Sequence, residues 1–424
     1  MSLTTQNVIF PSAIEEAPYL MNLLLIHPNF PGQFKLLAKA LSAREGWRLV
    51  GVGNGERSEA ETGHLDYVHY SHPTGPVEAV FPVAQDFAEH ARTGKSVADL
   101  LTRLRDRGYR PDVVLGHPGW GDAMFVSEVF PEAKFIAYLE YFYKTRDSDL
   151  DFDPEFPPAR IDMRYVPMRN ATNLMAFAAA SRCITPMPWQ ASLFPPPIRS
   201  QLHVLHEGID TALVAPHPHA SFRLPNGATL TRADEVVTYV SRSLEPYRGF
   251  HVFMRALPEL MRRRPRAQFV LVGREDVSYG RRHLSGQSWK SVMLDEVGAS
   301  LDPNRVHFLG NLTYADYLDL LRISSVHVYL TYPFVLSWSF LEAMACGCTM
   351  VGSATGPVLD VLKDGENGRT FGFFDRAALV DTVCELLDDP AQRERLSRRA
   401  RETIVENYDF TTRTFPRYLE LLQG

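Results

Sequence analysis

Two short stretches in the second half of the chain carry residue types suited to a diphosphate. In SFLEAMACG, residues 339–347, a strand-like run gives way to a helix start at Ser339, and Gly347 closes the helix before the next strand. A helix amino terminus presents unpaired N–H groups and a partial positive charge, which suits a pyrophosphate. Glu342, one turn further in, is placed to accept hydrogen bonds from a ribose diol. An ordinary buried helix with a capping serine has the same pattern. Upstream, SRSLEPYRG puts Arg242 and Arg248 on a turn that Gly249 permits. Guanidinium forks match phosphate oxygens and stay charged, although arginines on a surface loop would look the same.

Other clusters read more plainly. Asp147, Asp149, Asp151 and Asp153 make D-x-D pairs of the kind that hold a divalent metal on a diphosphate, and equally a solvated acidic loop. Because arginines already supply the charge a metal would bring, no metal is expected. His217 and His219 fall in a proline-rich stretch, and Cys346 and Cys348 flank Gly347 too closely for a closed zinc site.

The elements that must position these residues alternate. Met21 opens the first strong strand, LLLIH, and WRLVGVG, DVVLGH, KFIAYLE and SRCITP follow with helical patterns between them. Strand and helix in turn mean a parallel sheet with crossovers. The pattern pauses in PHPHASFRLPNGATLT, whose Pro, Gly and polar content reads as linker. It restarts with VVTYVS, QFVLVG, RVHFLG, VHVYLT and TMVGS, again separated by helices. The expected organisation is an extension over residues 1–20, a first domain over 21–210, a linker over 211–231, a second domain over 232–405 and a terminal helix over 406–424 that packs back on the first domain. Two doubly wound α/β domains of parallel sheet, Rossmann-like and facing across a cleft, would put ligands at the carboxyl ends of both sheets.

Composition bounds the rest. The chain has 424 residues, 45% of them apolar, enough for two or three globular units with no need of a disulfide or structural metal. Its four cysteines show no C-x-x-C pair, which reads as a reducing cytosol. A net charge of −6 gives no overall reason to bind nucleic acid. No apolar run suits a membrane span and the start lacks signal-peptide features, so a cytoplasmic location is expected. The cluster Arg262, Arg263, Arg264 and Arg266 leaves peripheral contact with the inner membrane face open, as an alternative to cations ending a helix.

The order SRSLEPYRGF, QFVLVG, VHFLGNLTYADYLDLLRISSVHVYL, SFLEAMACG and GSATGPVLDVLKDGENG resembles the donor-binding domain of glycosyltransferase family 4, which has the GT-B fold. HPNFPGQF, PDVVLGHPGWGD, LEYFYK, DFDPEFP, TPMPWQ and LHEGID resemble the amino-terminal domain of one bacterial subgroup with an HPGWGD-type motif. The resemblance implies sugar transfer from a nucleotide diphosphate-sugar, with retention of anomeric configuration and no cofactor beyond the donor. The acceptor would be a saccharide, a lipid-linked compound or a small molecule. By position it implies that Arg242 and Arg248 grip the diphosphate and Glu342 the ribose. Val335, Leu336, Ser337, Trp338 and Ser339 take the place of the glycine-rich stretch that meets sugar hydroxyls and phosphates. Gly32 stands in the loop that closes over the diphosphate, and His117 matches a histidine that contacts the donor sugar. Without the family, a histidine after a strand is more simply a satisfied loop residue.

One position departs from the family. Eight residues before Glu342, where the pattern has a first glutamate, stands Phe334. A carboxylate for a sugar hydroxyl is missing there, and Glu140, at the end of KFIAYL, is a candidate to bring another. The rival readings are a nucleotide-sugar epimerase or a phosphorylase on the same fold, and a silent nucleotide-sugar binder.

Overall fold

The computed structural model describes residues 21–56, 58–75, 77, 80–157 and 163–424. The expected extension over residues 1–20 lies outside the described residues. The chain divides into two compact units. The first holds the described residues through Asp151, Phe156–Gly208 and Phe410–Gly424; the second holds Phe152–Glu155 and Ile209–Asp409.

In the first unit, strands β1 (Met21–Ile26), β2 (Trp47–Gly53), β3 (Asp66–His69), β4 (Val113–Gly116), β5 (Lys134–Tyr138), β6 (Arg182–Thr185) and β7 (Leu202–Val204) form one sheet in the order β3-β2-β1-β4-β5-β6-β7. Every pairing is parallel, with Leu23 beside Leu49 on one side and Val113 on the other. The nearly continuous apolar run of β1 is what a strand covered on both faces requires. Successive side chains point to opposite faces. Accordingly Leu24 and Ile26 join a core with Val97, Leu100 and Leu104 of helix Gln85–Asp106, while Leu23 and Leu25 join another with Leu37 and Leu41 of helix Lys35–Ser42. The last helix, Phe415–Gln423, adds Tyr418, Leu421 and Leu422 to that second core.

The second unit repeats the design. Strands β8 (Ser221–Arg223) and β9 (Thr229–Thr231) make a small antiparallel hairpin. Then β10 (Val236–Ser243), β11 (Gln268–Arg274), β12 (Val306–Phe308), β13 (Val326–Tyr329), β14 (Met350–Ser353) and β15 (Arg369–Phe371) form a parallel sheet ordered β12-β11-β10-β13-β14-β15. Helix Phe250–Arg263 covers it with Phe250, Phe253, Leu257 and Leu260, the spacing of one helical face. Both sheets are Rossmann-like, and each reverses its strand order once: between β1 and β4, and between β10 and β13.

Two expected boundaries differ. The stretch read as linker holds the β8–β9 hairpin and belongs to the second unit, because Thr229, Leu230 and Thr231 find partners across a Pro-Asn-Gly turn. The chain also gives Phe152–Glu155 to the second unit, where Asp153 meets His251 and Tyr332, and Arg255 pairs with Glu155 at 2.6 Å. Alternation of strand and helix carries no signal for so short an excursion.

Candidate active site

In open α/β sheets the strand-order reversal opens a crevice at the carboxyl ends of the strands. The two strands flanking it in the first unit, β1 and β4, are each followed directly by a histidine, His27 and His117. Both are buried and their rings meet edge to face, with centroids 5.4 Å apart. His27 Nδ1 accepts the Asn29 N–H at 3.0 Å, which leaves the proton on Nε2, where it has no hydrogen-bond partner among the described residues. Burial, and then the neighbouring His117, lower its pKa to about 3, so the ring is neutral.

Gly32 explains how the loop fits. Its φ is +49°, and a Cβ there would lie 2.3 Å from His27 Cε1. Only glycine lets the 27–34 loop lie against the imidazole. His117 Nδ1 accepts the Gly119 N–H at 3.2 Å, so its Nε2 faces Glu140 Oε2, 3.3 Å away. Gln33 Nε2 donates to the other carboxylate oxygen at 2.8 Å. Burial raises the pKa of Glu140, but the bonds from His117 and Gln33 outweigh it and the net shift is downward. An ionised carboxylate, 24% exposed, therefore stands at the edge of this sheet.

His117 itself is 3% exposed, with both ring nitrogens engaged. Of the residues in this loop cluster, Glu140 has the open acceptor capacity. The sequence singled out Gly32, His117 and Glu140; His27 and Gln33 were missed. The signal for His27 was a histidine directly after each of the two switch-point strands; Gln33 had none.

In the second unit the same logic brings the turn after β10 to the turn after β13. Arg248 ends a short helical turn, Pro246–Arg248, and Gly249 at φ +67° lets the next helix start against Leu330, whose Cβ would be 2.3 Å from an added Cβ. The Arg248 guanidinium is buried, 3% exposed. Its Nη1 donates to Tyr329 Oη at 3.1 Å, Thr331 Oγ1 at 2.7 Å and the Val335 carbonyl at 3.0 Å, and the group lies 5.0 Å from the Tyr279 ring centroid. The bond to the Val335 carbonyl thus ties Arg248 to the 335–339 segment. Burial lowers the guanidinium pKa, but Tyr329, Tyr279 and Glu245 outweigh it, so it stays charged.

Helix Trp338–Ala345 starts beside this guanidinium. Ser337 caps it by accepting the Ser339 N–H, and the Ser337 N–H donates to Tyr329 Oη at 2.9 Å. The N–H groups of Val335 and Leu336 have no hydrogen-bond partner among the described residues. Glu342 lies one turn in, and its two oxygens accept from Tyr314 Oη at 2.7 Å and Tyr317 Oη at 2.8 Å. Arg242, at the end of β10, is exposed and makes no ion pair among the described residues.

Glu245 was missed, although it lies within the motif. It is fully buried and accepts N–H groups from Ser278, Tyr279 and Gly280, at 2.8 Å for Gly280, which pins that loop beside Arg248. Phe334 packs between Tyr247 and Tyr279, with centroids at 5.5 and 5.1 Å. The position without a carboxylate is therefore one wall of an aromatic cluster.

The acidic run makes internal bonds: Asp149 with Tyr141, Asp151 with the Asp147 and Ser148 N–H groups, and Asp153 with His251. The cationic cluster is paired too, Arg262 with Glu259, Arg263 with Asp381 and Arg264 with Glu235. Among the described residues no helix is long and apolar enough to cross a membrane.

Residues 45–214 match the model of the glycosyl transferase family 4 group, and residues 227–403 that of glycosyl transferases group 1. The glycogen synthase of Mycobacterium tuberculosis is 28% identical over 214 residues, 50% of this chain and 46% of that protein. A GDP-mannose-dependent alpha-(1-6)-phosphatidylinositol monomannoside mannosyltransferase of Mycolicibacterium smegmatis is 27% identical over 242 residues, 55% and 59% of the two chains. The chain thus spans about half the length of the curated relatives it matches. Among solved structures, a sucrose-phosphate synthase from Thermosynechococcus elongatus superposes with a TM-score of 0.71 at 16% identity, covering 95% of this chain and 98% of the other. Anabaena HepE in complex with UDP and glucose gives 0.70 at 16%, covering 95% and 100%. With both family models matched in chain order and two Rossmann-like units in the chain, the protein belongs to glycosyltransferase family 4 and has its GT-B fold.

Proposed function

We propose that the protein transfers a sugar from a nucleotide diphosphate-sugar to an acceptor hydroxyl, with retention at the anomeric carbon and without a divalent metal. The observation that carries this reading is Arg248, a buried guanidinium tied to the Val335 carbonyl at 3.0 Å beside a helix amino terminus with open N–H groups. Glu342 lies one turn further in, at the depth a ribose diol would reach. The sugar C1–O bond to the diphosphate breaks and its electron pair leaves on the phosphate. The acceptor oxygen bonds to C1 on the same face, and its proton passes to the departing phosphate oxygen. Arg248 and the helix N–H groups stabilise the charge that develops there, the largest single contribution to be expected in such a site. Arg242 is assigned to the same diphosphate as an outer, solvent-exposed cation.

The mannosyltransferase relative is GDP-mannose-dependent and HepE is in complex with UDP, so both bases belong in the test. The protein is offered UDP- and GDP-sugars in the presence of a chelator, with saccharide, lipid-linked and small-molecule acceptors. Nucleotide release and the product anomer are read by NMR. Release with an axial-to-axial outcome supports the reading; an inverted product, or release only after Mg²⁺ or Mn²⁺ is added, overturns the mechanism. Binding without release for every donor would make the protein a nucleotide-sugar binder.

A further inference from the structure

The segment DFDPEFP, which the proposed chemistry leaves unused, sends Phe152–Glu155 into the second unit. Asp153 is buried there, 2% exposed. Its Oδ2 accepts from Tyr332 Oη and lies 3.2 Å from His251 Nε2, while Oδ1 accepts the Glu155 N–H at 2.9 Å. Burial raises the Asp153 pKa, but the bonds from His251 and Tyr332 outweigh it, so the carboxylate is ionised. The Tyr332 ring is buried too, with Phe152 and Phe373 packed on it at 5.1 and 5.4 Å. From that anchored ring the main chain runs straight into the Arg248 cluster. The Tyr332 N–H donates to the Tyr247 carbonyl at 3.0 Å, and the two rings lie 4.7 Å apart. Tyr247 stands in the turn Pro246–Arg248, and Arg248 bonds Thr331 Oγ1 and the Val335 carbonyl, on either side of Tyr332 in the chain.

We propose that Asp153 is a positioning residue for the transfer: through Tyr332 it holds the 331–335 segment against the turn that carries Arg248. A carboxylate suits this work, because a hydrogen bond to an ionised acceptor is roughly twice as strong as a neutral one. Removing it would also leave the buried Tyr332 hydroxyl without its acceptor. His251 follows Gly249 by two residues, so the same carboxylate ties the start of helix Phe250–Arg263 to the segment. The inference rests on the proposed transfer reaction, in which Arg248 faces the departing diphosphate.

Amide hydrogen exchange of the full chain, read by mass spectrometry, and UDP and GDP binding, read by calorimetry, are compared for wild type, Asp153→Asn, Tyr332→Phe and the double variant. Tyr332→Phe keeps the ring and loses only the hydroxyl. Exchange across residues 331–337 should rise by at least about tenfold in Tyr332→Phe, the loss of a bond to a charged group, and in the same direction in Asp153→Asn. Strand Gln268–Arg274 should exchange as in wild type. The double variant should be no looser than the worse single one, because both substitutions remove the same bond. The nucleotide that wild type binds should bind Tyr332→Phe at least about tenfold more weakly, and in an Arg248→Ala background the same substitution should cost nothing further. Unchanged exchange across 331–337, a rise spread equally over Gln268–Arg274, additive single variants, or nucleotide affinity equal to wild type would each overturn the inference. If neither UDP nor GDP binds wild type, the proposed transfer fails, and exchange across 331–337 decides on Asp153 by itself.

Discussion

Gly32 and His27 occupy each other's space: a Cβ on residue 32 would sit 2.3 Å from His27 Cε1 and 2.5 Å from both ring nitrogens. Gly32→Ala should destabilise the protein by about 1–3 kcal/mol, from left-handed backbone strain and displacement of the imidazole. In a His27→Ala background only the backbone part should remain, so the combined loss should be smaller than the sum. Urea denaturation of the four proteins measures this, and simple additivity would mean that the two residues do not interact.

Two buried groups in the same unit give stability opposite pH dependences. His27 has a folded pKa of about 3 against 6.5 unfolded, lowered by burial and then His117. Its neutral form favours folding above pH 6.5, and that contribution is lost as pH falls toward 3. Asp122, whose Oδ1 accepts from Tyr70, is raised from 3.8 to about 7 by burial. Its contribution is full below 3.8 and lost as pH rises through 7. His27→Gln should flatten the acid limb of melting temperature against pH, and Asp122→Asn the limb from pH 4 to 7. Profiles parallel to wild type would contradict the two assignments.

Glu342 is held by Tyr314 and Tyr317 with an oxygen toward each. If it grips a ribose diol, Glu342→Gln should weaken nucleoside diphosphate binding by about tenfold, the cost of a bond to a charged group. The preference of wild type for the ribonucleotide over its 2′-deoxy analogue should shrink in the variant. Calorimetry with both nucleotides decides; an unchanged preference would move the ribose elsewhere.

Phe334, against Tyr247 and Tyr279, offers area but no acceptor. A site that makes no hydrogen bond to a substrate hydroxyl discriminates weakly against donors lacking it. Phe334→Glu should therefore change relative turnover among deoxygenated donors without creating activity from none. Activity present only in the variant would mark the natural chain as a binder.

The fold was legible because a parallel sheet buried on both faces writes itself as apolar runs such as LLLI and QFVLV, separated by helical periods. Phe152–Glu155 was not, since four residues carry no period. In the site, the segments around Arg248 and Ser339 could be read from residue type, because guanidinium and helix-start chemistry are local. The partners of these groups were not readable: Glu245 reaches the loop at Gly280, and Gln33 reaches Glu140, 107 positions away. Such pairs exist only once strand order is known. His117, which the resemblance sets against the donor sugar, bonds Glu140 through Nε2 and accepts the Gly119 N–H at Nδ1, a pairing that residue type alone did not show.

The central claim is that Arg248 stabilises the departing diphosphate. The most direct measurement is kcat/KM for the best donor, in chelator, for wild type, Arg248→Ala, Arg248→Lys and Arg242→Ala. Removing one preorganised charge donor typically costs about 2.7 to 4 kcal/mol, or roughly two to three orders of magnitude. Arg248→Ala should fall by at least about tenfold, and Arg248→Lys should not restore it, because an ammonium cannot hold Tyr329, Thr331 and Val335 while also facing the phosphate. Arg242→Ala should also fall by at least about tenfold. Wild-type kcat/KM in Arg248→Ala would contradict the account.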